Sequence, residues 1–326
     1  MLGEFIAILA VLTFVGSNVM FRKTEHEVSP TFINFFRTFI GTLTFILLVL
    51  FLNQLNLIFI IPWQLWMLLI LSFVFGQVIG DTAYFTAQKE LGTTIALAIS
   101  MTFPLFTFIL SLIFLNQAFK LNLILSLILI GIGITIIGKS KIDSENSKRE
   151  KIHISNHSIK NRLREILRKD YIKAIGFCFG ASLGWAIGAV LIELATDQID
   201  QITHIEELSS VIGNVIRFPF ALLILGTMVW RENYLMKKNN NMRKKTARSW
   251  IVLIVASIIG TSLGAYLYTE SVHLAGANIV SLIASTSPLF ALPLTYLVNK
   301  EKITKFGFIG VILTILGVIV ILIETR

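Results

Sequence analysis

The sequence predicts an all-α integral membrane protein whose ten transmembrane helices form two inverted five-helix repeats. Three observations carry this prediction. Of the 326 residues, 55% are hydrophobic and only 14% charged, with a mean hydropathy of +0.79; soluble domains carry about 25% charged residues and bury apolar stripes, not unbroken runs. A hydrocarbon core of about 30 Å needs roughly 20 apolar residues per helix. Such runs occupy 3–21, 32–52, 65–87, 92–115, 121–138, 172–192, 208–230, 250–269, 275–298 and 306–323. Finally, one block is written twice: Gly76, Gly80, Tyr84, Gly92, Pro104, Leu105 and Phe106 recur at a constant offset as Gly260, Gly264, Tyr268, Gly276, Pro288, Leu289 and Phe290. An odd number of spans per half puts the second half into the membrane from the opposite side, so the repeats are inverted. A β-barrel would show alternating ten-residue strands instead.

The elements follow in order. Span 1 opens Leu2-Gly3-Glu4-Phe5 without a basic leader, so it reads as a retained helix and not a cleaved signal. The first repeat covers 1–138, a basic cytoplasmic linker 139–170, and the second repeat 171–326. In the linker Ile159, Leu163, Ile166 and Leu167 share a helical face with basic residues interleaved. That pattern suits either a helix lying on an anionic leaflet or a solvated linker whose charges only set topology.

Charge gives orientation. The formal net charge is +9, but this does not point to nucleic acid, because nearly all basic residues sit in the loops after spans 1, 3, 5, 7 and 9. The opposite loops and the termini hold only Lys120 and Arg326, and the loop after span 6 is acidic with Asp197, Asp200, Glu206 and Glu207. The positive-inside rule places the basic loops in the cytoplasm and both termini outside. The single cysteine, Cys178, excludes an intrachain disulfide and a cysteine zinc site, and the five histidines are scattered. No metal, no cofactor and no nucleotide-binding loop of the P-loop type is expected.

Polar groups inside the spans mark the expected substrate site. Asn34 and Arg37 in span 2 recur as Asn214 and Arg217 in span 7. An arginine at the bilayer centre costs roughly 2.5–3.5 kcal/mol on insertion scales, so it faces a cavity or a partner. Arg217 is the deeper of the two, and the three-residue spacing lets each asparagine brace its arginine. Pro104 and Pro288 interrupt spans 4 and 9 beside Ser100, Thr102, Ser285 and Thr286. Each proline frees the carbonyl four residues earlier, of Ser100 or Ala284, which in lipid must find a hydroxyl, water or a ligand. Tyr84 and Tyr268 would present hydroxyls to a cavity or lie in an aromatic belt. The pairs Gly76/Gly80 and Gly260/Gly264, with Gly180 and Gly184 in span 6, are expected to pack helices closely. Asp81 and Glu270 are candidate proton or cation sites, but both lie toward loops and have Ala265 and Thr86 as counterparts, so the repeat symmetry does not support them.

Across both halves the chain resembles the drug/metabolite transporter superfamily, specifically the EamA-type transporters. The resemblance rests on Gly16-Ser17-Asn18 against Gly184-Trp185-Ala186, Arg37 and Arg217 in the second helix of each repeat, and the Pro-Leu-Phe segments. It extends to Glu301-Lys302-Ile303-Thr304 and a fifth helix with Gly307, Gly310 and Gly317, although Gln117 stands where the second half has Glu301. It implies non-ATP transport of a small polar metabolite, amino-acid-like or carboxylate-bearing, by alternating access through a central cavity, as an exporter or exchanger in the plasma membrane. The partners expected are that substrate and the bilayer, with monomer and homodimer both open. Members are usually drawn with both termini in the cytoplasm; the loop charges here predict the reverse. A channel or scaffold is the alternative class. An integral-membrane enzyme acting on lipids would need clustered carboxylates or a His/Asp pair, and none is visible.

Overall fold

The computed structural model describes residues 2–115, 157–203, 208–238 and 246–299, with scattered positions in 124–139 and 306–320. About half of predicted spans 5 and 10, much of the linker, Gln117 and Glu301 lie outside the described residues. Every described element is helical, and among the described residues eight helices are long and apolar enough to cross a membrane. The protein is a multi-pass integral membrane protein.

In the first half α1 (Leu2–Arg22) and α2 (Pro30–Phe51) are followed by a short α3 (Leu55–Ile60). Next, α4 (Trp63–Phe73), a π-helical segment π1 (Val74–Asp81) and α5 (Thr82–Leu91) form one span. The pair α6 (Thr93–Ser100) and α7 (Phe103–Phe114) forms the next. The second half repeats the scheme with α8 (His157–Thr203), α9 (Ser209–Lys238), α10 (Ala247–Ser257), π2 (Ile258–Leu263), α11 (Gly264–Ala275), α12 (Ala277–Ala284) and α13 (Ser287–Asn299). Residues 157–171 continue the membrane helix instead of forming a separate element, and Asp197 and Asp200, expected in a loop, lie on the last turns of α8.

Local chemistry explains the boundaries. Ser29 caps α2, its hydroxyl accepting from Phe32 N at 3.2 Å, with Pro30 in the first turn, where its missing N–H costs nothing. Gly92 and Gly276 separate consecutive helices at φ 83° and 80°, a region cheap only for glycine. Behind them the two proline breaks heal differently from the simple expectation. Thr102 and Thr286 donate to Ile99 O and Ile283 O, not to the freed carbonyls. Those are met by Ser182, which donates to Ser100 O at 2.6 Å, and by Ser287, which donates to Ala284 O at 2.5 Å.

The halves interlock. Helices α2 and α9 pack against each other, α1 lies along π2, α11 and α13, and α8 lies along α4, π1, α5 and α7. Each first helix thus packs on the third and fourth spans of the other half. Glycine makes this possible: a Cβ on Gly184 would stand 2.5 Å from Phe75 O and 3.2 Å from Gly80 Cα, and one on Gly260 2.0 Å from Ser17 Oγ. In the same way Gly188 meets Gly76, and Gly264 meets Thr13. The packing therefore equates Thr13 with Gly184 and Ser17 with Gly188, three residues away from the register in which Gly16 aligns with Gly184. Gly180 departs from the packing expectation, since a Cβ there would meet nothing within 4 Å. Large apolar side chains such as Phe51, Phe59, Leu223 and Leu297 stand outward, as a lipid-facing surface requires.

Candidate functional site

A cavity of ≈ 150 Å³ lies between the halves. Its polar wall includes Arg37, Gln77, Asp81, Trp185, Arg217 and Tyr268; its apolar wall includes Phe14, Phe73, Phe103 and Val280. The π segments border it on both sides. A π-helical turn widens the helix, re-aims the side chains that follow, and is frequent at functional sites. Gly76, Gly260 and Gly264 in or next to these segments also line it, which brings backbone close to anything bound.

The two arginines are held differently. Arg37, 5% exposed, donates to Asp81 Oδ2 at 2.8 Å and Gln77 Oε1 at 3.1 Å, and its guanidinium lies 5.3 Å from the Phe85 ring centroid. The other oxygen, Asp81 Oδ1, accepts the Trp185 indole N–H at 2.8 Å. Asn34 is not among Arg37's hydrogen-bond partners: it donates to Gln77 O and Thr82 Oγ1 and accepts from the Gln77 amide, fixing π1 against α2. Arg217, 2% exposed, donates through Nε and one terminal nitrogen to Asn214 Oδ1 at 2.9 and 2.6 Å, and to Thr269 Oγ1 at 2.6 Å. It sits 4.7 Å from the Phe73 ring centroid, and its Nη1 has no hydrogen-bond partner. All its partners are neutral. A buried, unneutralised guanidinium on a cavity wall is the arrangement that attracts an anion.

The remaining expected residues fall in three places. Tyr268 lines the cavity. Tyr84 stands behind the wall: fully buried, it packs on Phe14 and Trp185 (centroids 6.1 and 5.4 Å) and donates to Gln88 Oε1 at 2.7 Å. Ser100, Thr102, Pro104, Ser285, Thr286 and Pro288 are not on the cavity, although Ala284 and Ser287 from the second break are; Pro104 faces a separate small hollow beside Asn278. Sequence reasoning missed Asp81, Gln77 and Trp185. Asp81 was set aside because it lies toward a loop and its counterpart is Ala265; the four-residue spacing of Gln77 and Asp81, on a face next to that of the glycines, is the one trace of the pair in the sequence.

A polar cluster extends from Tyr84 to the membrane boundary. Gln88 donates to Glu25 Oε1 at 2.6 Å, Arg22 pairs with Glu25, and Arg22 Nη1 also caps the end of α5 at Gln88 O and Lys89 O. Burial pushes the Glu25 carboxyl above its ordinary range, against the lowering pull of Arg22 and Gln88. Nearby, Glu27 is held below its usual range by the backbone N–H of Thr246 and the Ser249 hydroxyl. At the other end of the helices His273 Nε2 lies 2.7 Å from Asp200 Oδ2. Among the described residues no group of three or more His, Cys, Asp or Glu is arranged to hold a metal.

The profile of the EamA-like transporter family matches residues 1–139 and again 172–323. The chain belongs to this family. It is an EamA-like transport protein of the drug/metabolite transporter superfamily. Over 326 residues it is 23% identical to an uncharacterized transporter of Archaeoglobus fulgidus, covering 99% of this chain and 98% of the relative. A solved crystal structure shares the fold at a TM-score of 0.67 and 12% identity, over 98% of this chain and 95% of that one. One expectation needs correction. Gly133-Ile134-Thr135-Ile136-Ile137-Gly138-Lys139-Ser140 does spell the P-loop pattern. A P-loop, however, follows a strand and leads into a helix. Here the described residues before and within the run are helical, and Thr135 donates back to Gly131 O as in a helix, so the letters match without the geometry.

Proposed function

We propose that this EamA-like transporter is a secondary, non-ATP carrier of a small carboxylate-bearing metabolite, working by alternating access as an exporter or exchanger in the plasma membrane. Its architecture is ten spans in two inverted repeats, with both termini outside and the linker in the cytoplasm. The observation that carries the reading is Arg217: buried, facing the cavity between the halves, and paired only with neutral groups. The inverted arrangement is supported by the reciprocal packing of each first helix on the opposite half and by π segments at matched positions. Binding on a seam between halves is what rocking of one half against the other needs.

Proteoliposomes test this directly. Wild-type protein should accumulate a labelled substrate by counterflow, which a channel does not. Arg217→Ala should abolish that flux while leaving membrane expression intact; unchanged counterflow in the variant would remove Arg217 from the site.

A further inference from the structure

The cavity wall carries two guanidiniums and one carboxylate, and their pairing is unequal. Asp81 has both oxygens engaged, one by Arg37 and one by the Trp185 indole. Arg37 and Asp81 thereby neutralise each other, and each Asp81 oxygen already accepts one hydrogen bond, so the carboxylate offers a substrate ammonium no unmatched charge. At Asp81's counterpart in the second half stands Ala265, so Arg217 keeps its full charge and an unpartnered Nη1. The net charge offered to a ligand is one positive unit.

We infer that the cavity selects a substrate with a single negative charge on a largely apolar body, and that Asp81 sets this valence. The inference rests on Arg217 being the substrate's anion partner. A second carboxylate on the ligand would be buried without a counter-charge, and an ammonium would find only a carboxylate whose charge Arg37 already balances; each is costly in a low-dielectric site. A simple amino-acid zwitterion is therefore disfavoured. The body of the ligand meets Phe14, Phe73, Trp185 and Tyr268, aromatic faces that suit an apolar or aromatic group. Asp81 acts on specificity through Arg37: without its charge, Arg37 becomes a second free cation on the same wall.

The test uses the purified full-length chain and four probes sharing a phenyl body: phenylacetate, phenylalanine, phenylsuccinate and phenethylamine. Titration calorimetry should rank phenylacetate first, at least about tenfold tighter than each of the others. Asp81→Asn should raise phenylsuccinate affinity about tenfold relative to phenylacetate, because Asn keeps the shape but removes the charge. Asn214→Asp gives the reciprocal case: a carboxylate beside Arg217 should weaken phenylacetate about tenfold, and it remains informative if Asp81→Asn does not fold. Monodisperse elution and a cooperative melt qualify each variant. Wild-type preference for the zwitterion or dianion, no phenylacetate binding, unchanged ranking in Asp81→Asn or unchanged affinity in Asn214→Asp would each overturn the inference. Arg217→Gln separates the two ideas. Lost binding with an unaltered Asp81→Asn ranking sinks the valence rule alone; retained phenylacetate affinity sinks the Arg217 site beneath it.

Discussion

Gly184→Ala is the sharpest test of the interlock between the halves. The added Cβ would stand 2.5 Å from Phe75 O and 3.2 Å from Gly80 Cα. Both neighbours are backbone and cannot rotate away, so α8 must retreat from π1 by roughly 1 Å to restore ordinary contact. Overpacking of this kind costs about 1–3 kcal/mol. Alanine recovers about 1 kcal/mol over glycine in a helix interior. Gly180→Ala, one turn away, gains the same helix term and meets nothing within 4 Å. The two variants should therefore differ by about 1–3 kcal/mol, with the difference arising wholly from packing. Thermal unfolding in one detergent, followed by tryptophan emission, should give Gly180→Ala at or above wild type and Gly184→Ala clearly below Gly180→Ala. Two variants that melt together would refute the close approach of α8 to π1.

Further expectations concern the ends of the helices. Burial raises the Glu25 carboxyl above its ordinary 4.5, so the folded state binds a proton more readily than the unfolded one. Its contribution to stability is full below pH 4.5 and is lost as pH rises through the raised value. Glu25→Gln should remove this downward slope when melting temperatures of the two proteins are compared across pH; an identical slope would refute the burial. Thr246 caps α10, accepting from Ser249 N at 3.3 Å, and binds Glu27. Thr246→Ala should cost about 1 kcal/mol, read as a lower melting temperature. For orientation, Cys178 is replaced and a new cysteine is placed within 145–158. It should resist impermeant thiol reagents in intact cells, and ready labelling would reverse the topology.

The membrane class, the repeated block and the burial of Arg217 were legible because hydrophobic runs and repeated letters are local signals. Asn214's place beside Arg217 was legible too, from the three-residue spacing, but the partners of Arg37 were not. Asp81 lies toward a loop in the linear order, yet π1 turns it inward to Arg37 and Trp185, and Trp185 comes from the other half of the chain. Neither π segment leaves a letter pattern, since it is a property of hydrogen-bond register and not of residue type. The prolines misled in a simpler way. Their freed carbonyls had to be satisfied, as expected, but Ser182 reaches one of them from α8, a contact no linear spacing could announce.

The matched π segments also carry a history. They begin at corresponding positions of the two halves, Val74 and Ile258, and each holds the first glycine of a duplicated pair. A helix defect of this kind amounts to one inserted residue, and two independent insertions at the same place are less economical than one inherited insertion. The simpler account thus puts the defect before the doubling, in a half that paired with a second copy of itself. On that account the split between Asp81 and Ala265 came later. Doubling released the two copies from having to be identical, and only after that could one arginine be tied down while the other was left open.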